Sequence, residues 1–260
     1  MTRHLYALLP LLLPLATSVQ ADAFDPLADT GWLEAGYEES RYDSLRPGRS
    51  FDPYRITSVS GSLTHKDAVW YGELAFHDRF NTSDTQLLIG SYQPVTATGQ
   101  LHVEAYVTED ADFRPRLQAY AGWYQKLPAG FTVEPGYQTS RYPAVNIDRY
   151  SLATEKYLGA FRIAHHIGLV QVSEQSEISQ RLQLDWYRGE RARVGIGMAW
   201  GDDQEQEENG DVTVRPVRSY FATLVQPVSP RLDLTASLQT ARYDDLYRQN
   251  GGRVGLRYHY

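Results

Sequence analysis

Gly252-Arg253-Val254-Gly255-Leu256-Arg257-Tyr258-His259-Tyr260 closes the chain, and its residues alternate at every step. Val254, Leu256, Tyr258 and Tyr260 point one way, while Arg253, Gly255, Arg257 and His259 point the other. A period of two belongs to an extended strand, whose successive side chains leave opposite faces. Large apolar groups on one face and arginine on the other suit a wall standing between lipid and a polar interior. The stretch also sets a rule for every other strand: the apolar face looks outward.

The same alternation recurs in Leu101-His102-Val103-Glu104-Ala105-Tyr106-Val107-Thr108, in Val194-Gly195-Ile196-Gly197-Met198-Ala199-Trp200 and in Leu232-Asp233-Leu234-Thr235-Ala236-Ser237-Leu238-Gln239. Ile178-Ser179-Gln180-Arg181-Leu182-Gln183-Leu184-Asp185-Trp186 repeats it with one slip, at Gln180. No run in the mature chain has helical spacing. Fourteen such segments start near Gly31, Tyr54, Val69, Thr85, Gln100, Arg116, Phe131, Ile147, Ala160, Glu177, Ala192, Val217, Arg231 and Gly252. Short connections (64–68, 94–99, 126–130, 157–159, 189–191, 227–230) alternate with longer, more charged ones (41–53, 80–84, 109–115, 140–146, 172–176, 201–216, 241–251). Short periplasmic turns and longer outside loops in alternation predict an all-β, antiparallel up-and-down transmembrane barrel. The expected strand number is about 14, with 12 or 16 also compatible, and an even number leaves both termini periplasmic.

A β-sandwich or a soluble lipocalin-type barrel alternates too, with its apolar side inward. Two features favour the membrane. Aromatics stand near strand ends (Trp32, Tyr92, Trp123, Tyr137, Trp186, Trp200, Tyr243, Tyr258), where interfacial girdles belong. The chain also ends on an aromatic strand, a common ending of outer-membrane barrels that the insertion machinery reads.

The beginning agrees. Arg3 and His4 precede an apolar stretch of 12 residues, 5–16, broken by Pro10 and Pro14. That is too short for a spanning helix, which needs ~20 residues. It reads as a secretory signal cleaved after Ala21 or Ala23, with residues 1–21 the signal, 22–30 a short periplasmic segment and 31–260 the barrel. Losing Arg3 takes the formal charge from −7 to −8, which argues against a nucleic-acid partner. The chain has no cysteine, so hydrogen bonding and packing alone must close an exported fold.

At this point the chain resembles a family. Leu33-Glu34-Ala35-Gly36-Tyr37 with Arg41-Tyr42 is similar to the opening strand of YaiO-type outer-membrane proteins. So are Pro135-Gly136-Tyr137-Gln138-Thr139-Ser140-Arg141-Tyr142 and the following 148–159, and Gln226-Pro227-Val228-Ser229-Pro230-Arg231-Leu232-Asp233-Leu234 resembles the last long hairpin. The likeness spans the mature chain and carries no catalytic signature. It implies an outer-membrane barrel in contact with lipid and lipopolysaccharide, and an association with cell-surface polysaccharide systems.

With the apolar face outward, the expected lumen-lining residues are Tyr71, Glu73, His77, Arg79, His102, Glu104, Tyr106, Arg181, Asp185, Arg253 and Arg257. Gln118, Tyr120, Tyr124, Arg149, Glu155, Arg162, Tyr187, Arg193, Arg218, Arg231 and Asp233 join them, making an interior of both charge signs interleaved with tyrosine. Three functions fit: a conduit or docking barrel for a polar solute such as polysaccharide, a structural barrel with an ion-paired filling, or an enzyme acting on lipid or sugar. For the last, His77 beside Asp78 and His102 near Glu104 are the only candidates. Asp78 leaves the strand opposite to His77, no serine has a distinctive context, and His165 and His166 cannot chelate together from one strand. No catalytic residue, metal site or cofactor is therefore assigned. Pro135 predicts a bulge or a strand start, and the acidic run 202–208 with Asp211 predicts a solvated loop.

Overall fold

The computed structural model describes residues 31–45, 52–79, 82–142, 145–172, 175–206 and 212–260; the signal segment 1–21 lies outside the described residues. Fourteen strands form one closed barrel in which each pairs with its chain neighbours and the first with the last. They are β1 (Trp32–Ser44), β2 (Tyr54–His65), β3 (Ala68–Arg79), β4 (Thr82–Pro94), β5 (Gly99–Glu109), β6 (Leu117–Leu127) and β7 (Phe131–Arg141). The second half is β8 (Asn146–Leu158), β9 (Phe161–Val172), β10 (Gln175–Arg188), β11 (Ala192–Gln206), β12 (Val212–Ser229), β13 (Leu232–Tyr243) and β14 (Tyr247–His259). Closure runs from Trp32↔His259 to Ser44↔Tyr247, so the terminal strand is the seam partner of the first. The start of β1 and the end of β14 lie on the side of the short turns, where Tyr260 N–H donates to Gly31 O (3.1 Å).

Burial follows the period of two. On β14 the odd residues Tyr247 to His259 face in, while Val254, Leu256 and Tyr258 are exposed. Exposed Leu33, Val59, Leu74, Ile89, Ile163, Ile196 and Leu238 continue the outer apolar belt around the wall. An exposed apolar belt of this extent needs a solvent as apolar as itself, which excludes the soluble alternative. Leu238, 68 % exposed, sits mid-strand between Ala222 and Gly252, neither of which can shield a charge placed there. Leu238→Arg is expected to destabilise the barrel by about 2–4 kcal/mol, the cost of a cation on the lipid face near the midplane. Equilibrium unfolding from lipid vesicles measures this; a loss under about 0.5 kcal/mol would mean that this face does not meet lipid.

Several expectations need correction. Trp32, Tyr92 and Tyr243 lie on the inner face and are not girdle residues, because parity decides the face whatever the position along the strand. Arg218 is exposed on the outer face of β12, where inner residues carry odd numbers, and Arg231 is exposed in the turn before β13. β4, β12 and β14 begin earlier than the hydropathy suggests. On β4 and β14 the outward residues at these starts are polar (Ser83 and Thr85, Arg248 and Asn250), so the apolar–polar alternation is missing there. Gly201–Pro216, expected as a loop, is also largely paired strand: Gly201 pairs with Val217 and Asp202 with Pro216, and residues 207–211 lie outside the described residues. Pro135 neither starts a strand nor makes a bulge. The β6–β7 register is unshifted across it, from Gly122↔Gly136 to Gln125↔Val133, with the two intervening pairs missing where proline has no N–H to donate. The register shift lies instead at Pro227/Ser229.

Candidate functional site

Fourteen strands enclose more space than eight, whose interior the wall's side chains fill. Here tyrosine, arginine and glutamate reach far inward, and four clusters occupy the interior.

The first closes the seam. Glu34 of β1 accepts from Arg253 Nη2 and from Arg257 Nε (2.9 Å), and Arg253 Nη1 donates to Thr235 Oγ1 (3.3 Å). The Arg257 guanidinium also lies 4.3 Å over the Trp32 ring. Asp233 of β13, beside this group, takes His259 Nε2 (2.7 Å) and Arg191 Nη1 (3.2 Å). The second ties β8 to β11: Arg162 bridges Glu155 (3.1 Å) and Asp185 (2.8 Å), and Gln183 links Asp185 to Arg181. Arg181 in turn packs 4.4 Å over Phe221.

The third spans β3 to β7. His102 stands between two carboxylates: its Nδ1 donates to Glu134 Oε1 (2.6 Å), and its Nε2 faces Glu104 Oε1 (3.3 Å). Tyr71 donates to Glu104 (2.5 Å) with its oxygen 2.7 Å from His102 Nε2, and Tyr120 donates to Glu134 (2.7 Å). Tyr106 completes the set on Glu104 (3.2 Å), and Tyr92 stacks on the His102 ring at 3.9 Å. Small residues make these reaches possible. A β-carbon at Gly90 would collide with the Tyr71 ring, and one at Gly136 with Tyr120. Tyr71, His102 and Glu134 thus line up in the order of a hydroxyl, a base and an orienting acid. Yet Tyr71 already gives its proton to Glu104, so the line offers no free nucleophile.

The fourth cluster is a stopper at the outer mouth. Asp84, on the inner face of β4, accepts backbone N–H groups of Asp112 (2.8 Å), Phe113 (3.1 Å) and Arg114 (2.7 Å), which bends loop 110–116 into the barrel. Arg114 Nη2 donates to Gln86 Oε1 (2.9 Å), and Pro115 is fully buried. Phe113 meets Tyr54 and His77 edge-on (6.1 and 6.5 Å) and packs on a buried group that joins Tyr42, Tyr54 and Ile56 to Val217, Tyr243, Leu246 and Tyr247. His77 is bonded to the Tyr54 hydroxyl (2.6 Å) beneath Phe113, and the Arg79 guanidinium lies over Tyr42 and Tyr54 (5.5 and 5.7 Å). Ile147, Val170 and Val172 with Tyr142 and Val145 extend the apolar rim.

The structure therefore distributes the expected lining residues. Tyr71, His102, Glu104 and Tyr106 come together; Arg181 joins Asp185; Arg253 joins Arg257; His77 and Arg79 belong to the stopper; and Glu73 is half-buried on the inner face of β3. Glu34, Asp84, Phe113 and Glu134 are the partners that were not singled out. Among the described residues, inner-face charge is also sorted. Glu34, Glu38, Glu73, Asp84, Glu104 and Glu134 stand on β1–β7 with Arg79, whereas Arg149, Arg162, Arg181, Arg193, Arg253 and Arg257 stand on β8–β14 beside four acids. No described group of three or more His, Asp or Glu side chains is placed to hold a metal ion.

Residues 33–206 match the family described as the YaiO membrane beta barrel domain. No curated protein matches the sequence. In fold, the chain is similar to the CymD monoaromatic hydrocarbon channel (TM-score 0.61, 9% identity, 96% of this chain and 92% of that one). It is also similar to a bacterial polysaccharide outer membrane secretin (0.54, 8%, 90% and 99%) and to Omp33 of Acinetobacter baumannii (0.54, 10%, 90% and 100%). At these identities the likeness is one of architecture.

Proposed function

Because the chain belongs to the YaiO family of outer-membrane β-barrels, with the start of β1 and the end of β14 on the periplasmic side, we propose that it is a gated conduit for a polar solute. One observation carries this reading: a charged, tyrosine-bearing interior lies beneath an outer stopper whose loop is clamped by the single carboxylate of Asp84. Because that clamp on the loop backbone is one side chain, it can be released while the wall stays paired. Tyrosine faces alternating with carboxylates on β3–β7 suit a saccharide, which offers apolar ring faces and hydroxyls together. Polysaccharide is accordingly the solute class we infer, with lining provided by Tyr71, Glu73, His102, Glu104, Tyr106, Arg181, Asp185, Arg253 and Arg257.

A second reading has its own support. Asp185, Asp233 and Glu34 are almost wholly buried against arginine or histidine, as in a filled barrel that only strengthens the envelope. Planar-bilayer recording separates the two. The full-length barrel should conduct weakly, and a chain with residues 111–115 shortened should conduct steadily and at least about tenfold more. Traces that stay closed in both chains, at every voltage and with oligosaccharide present, would remove the conduit and leave the filled barrel.

A further inference from the structure

The outer face of the wall carries charge as well, at its rim on the side away from the short turns. Arg218 of β12 stands directly opposite Arg242 of β13, and Arg242 stands directly opposite Arg248 of β14. All three are exposed on the outer face. Residues opposite each other on adjacent strands have β-carbons ~5 Å apart, and like charges so placed destabilise a sheet. Among the described residues none of the three forms an ion pair; Arg242 Nε donates to the backbone oxygen of Asp244 (3.1 Å). Where the same rim crosses β1 and β2 the charge is answered, since Arg41 and Arg55 both reach Glu39 (2.8 and 3.4 Å). Asp43 ends the arginine row opposite Arg248, but it accepts from Asn250 Nδ2 (3.0 Å) and does not pair with Arg248.

The belt below sets the height of this row. On β13 the outward residues climb from Leu238 through Thr240 to Arg242, which is ~14 Å of strand. With strands tilted by ~40°, the rise is ~10 Å, close to the upper edge of an apolar band ~25 Å tall with Leu238 near its middle. Tyr220, 53 % exposed, lies one outward step below Arg218, and Trp200 of β11 pairs with Arg218 on its other side. Aromatic rings under a basic row mark the boundary between acyl chains and headgroups. A lipid whose tails lie on the belt thus brings its headgroup level with the three guanidinium groups. Arginine forks match phosphate oxygens, and one phosphate can take bonds from two neighbours while cancelling their repulsion.

We propose that Arg218, Arg242 and Arg248 form a docking ridge for the phosphate groups of an outer-leaflet glycolipid, whose tails lie along exposed Leu238 and Val254. The ridge is on the outside of the wall and does not depend on whether the lumen conducts. The folded barrel in detergent is titrated, with a metal chelator present, against lipid A and against the same lipid stripped of its phosphates. Native mass spectrometry counts the bound lipid. Phosphorylated lipid A should bind at least about tenfold more tightly than the stripped form. Arg242→Gln, at the centre of the row, should weaken it roughly tenfold, the worth of a charge-assisted hydrogen bond. Arg218→Gln, Arg242→Gln and Arg248→Gln together should reduce phosphorylated lipid to the level of the stripped one. If the triple variant does not fold, Arg242→Gln alone carries the test. Arg55→Gln, on the answered side of the rim, should leave binding unchanged.

Thermal melting adds a readout that changes sign. Without lipid, Arg242→Gln should melt no lower than the unaltered barrel, because it removes two like-charge contacts. With phosphorylated lipid A it should melt several degrees below it. Equal binding of the two lipids would mean that the apolar belt alone holds them, and would overturn the ridge. So would binding unchanged in the variants, or binding that appears only when magnesium replaces the chelator, which would place the lipid on Asp43, Asp244 and Asp245. Inorganic phosphate raising the midpoint as far as the lipid does would make this a free-anion site and overturn the lipid assignment.

Discussion

Glu34→Ala is expected to lower the stability of the barrel by about 3–5 kcal/mol, the usual cost of deleting one member of a buried ionic group. Glu34 is 2 % exposed and answers two arginines, so its loss takes away the one carboxylate to which both Arg253 and Arg257 donate. The location increases the effect. β1 and β14 are the ends of the chain's sheet, and their pairing is what turns an open sheet into a closed barrel. Repulsion at that seam therefore opposes closure itself, whereas the same repulsion inside a hairpin would strain only one turn of chain. Glu34→Gln, which keeps an acceptor oxygen, should cost about half as much. Replacing Glu34, Arg253 and Arg257 together with apolar residues of similar volume should be milder than Glu34→Ala, because no orphaned charge remains. Urea unfolding of the vesicle-inserted barrel measures all three. A Glu34→Ala loss below about 1 kcal/mol would show that water in the lumen solvates the two arginines and that the seam is not electrostatically held.

The wall was legible from Val254, Leu256 and Tyr258 onward, because a two-residue period in a lipid-facing strand is enforced at each outward position. The inner face of β3, β5, β10 and β14 follows from that period, and a strand number of about 14 from it together with the alternation of short and long connections. The partners inside were not legible, since they depend on register and on reach across the interior. Glu134 meets His102 only because β5, β6 and β7 are aligned and Gly122 and Gly136 leave room between them. Glu34 could have been found: in a barrel with an even number of strands the first must pair with the last, which sets its inward acid against the inward Arg253 and Arg257. Girdle assignments failed for Trp32, Tyr92 and Tyr243 because closeness to a strand end was used where parity decides. The stopper escaped notice for a different reason. Loop 110–116 looks like an ordinary charged surface loop, and the apolar Phe113 within it is the one sign of an inward fold.

Asp84→Ala should release that loop. Three backbone N–H groups donate to one carboxylate, and hydrogen bonds to a charged acceptor contribute about 1.5–3 kcal/mol each. Part of this is recovered when the freed amides meet water, so a net loss of about 3 kcal/mol in the closed loop is a conservative figure. That corresponds to roughly a hundredfold faster hydrogen exchange at Asp112, Phe113 and Arg114, with the β4–β5 ladder amides unchanged. With its clamp gone, the loop is kept inside by the edge contacts of Phe113 to Tyr54 and His77, where ring pairs contribute about 0.5–1.5 kcal/mol each, by the packing of Phe113 on the buried apolar group and by the bond from Arg114 to Gln86. The loop would then spend an appreciable fraction of its time outside, and single-channel conductance should rise about tenfold over the unaltered barrel. Asp84→Asn, which keeps one acceptor oxygen but no charge, should fall between the two. Exchange that stays slow in Asp84→Ala would mean that the apolar rim, rather than the carboxylate, holds the loop. Fast exchange with a closed trace would mean that the loop moves but no continuous path lies below it, because the ion-paired groups around Glu34 and Asp185 fill the lumen beneath the mouth.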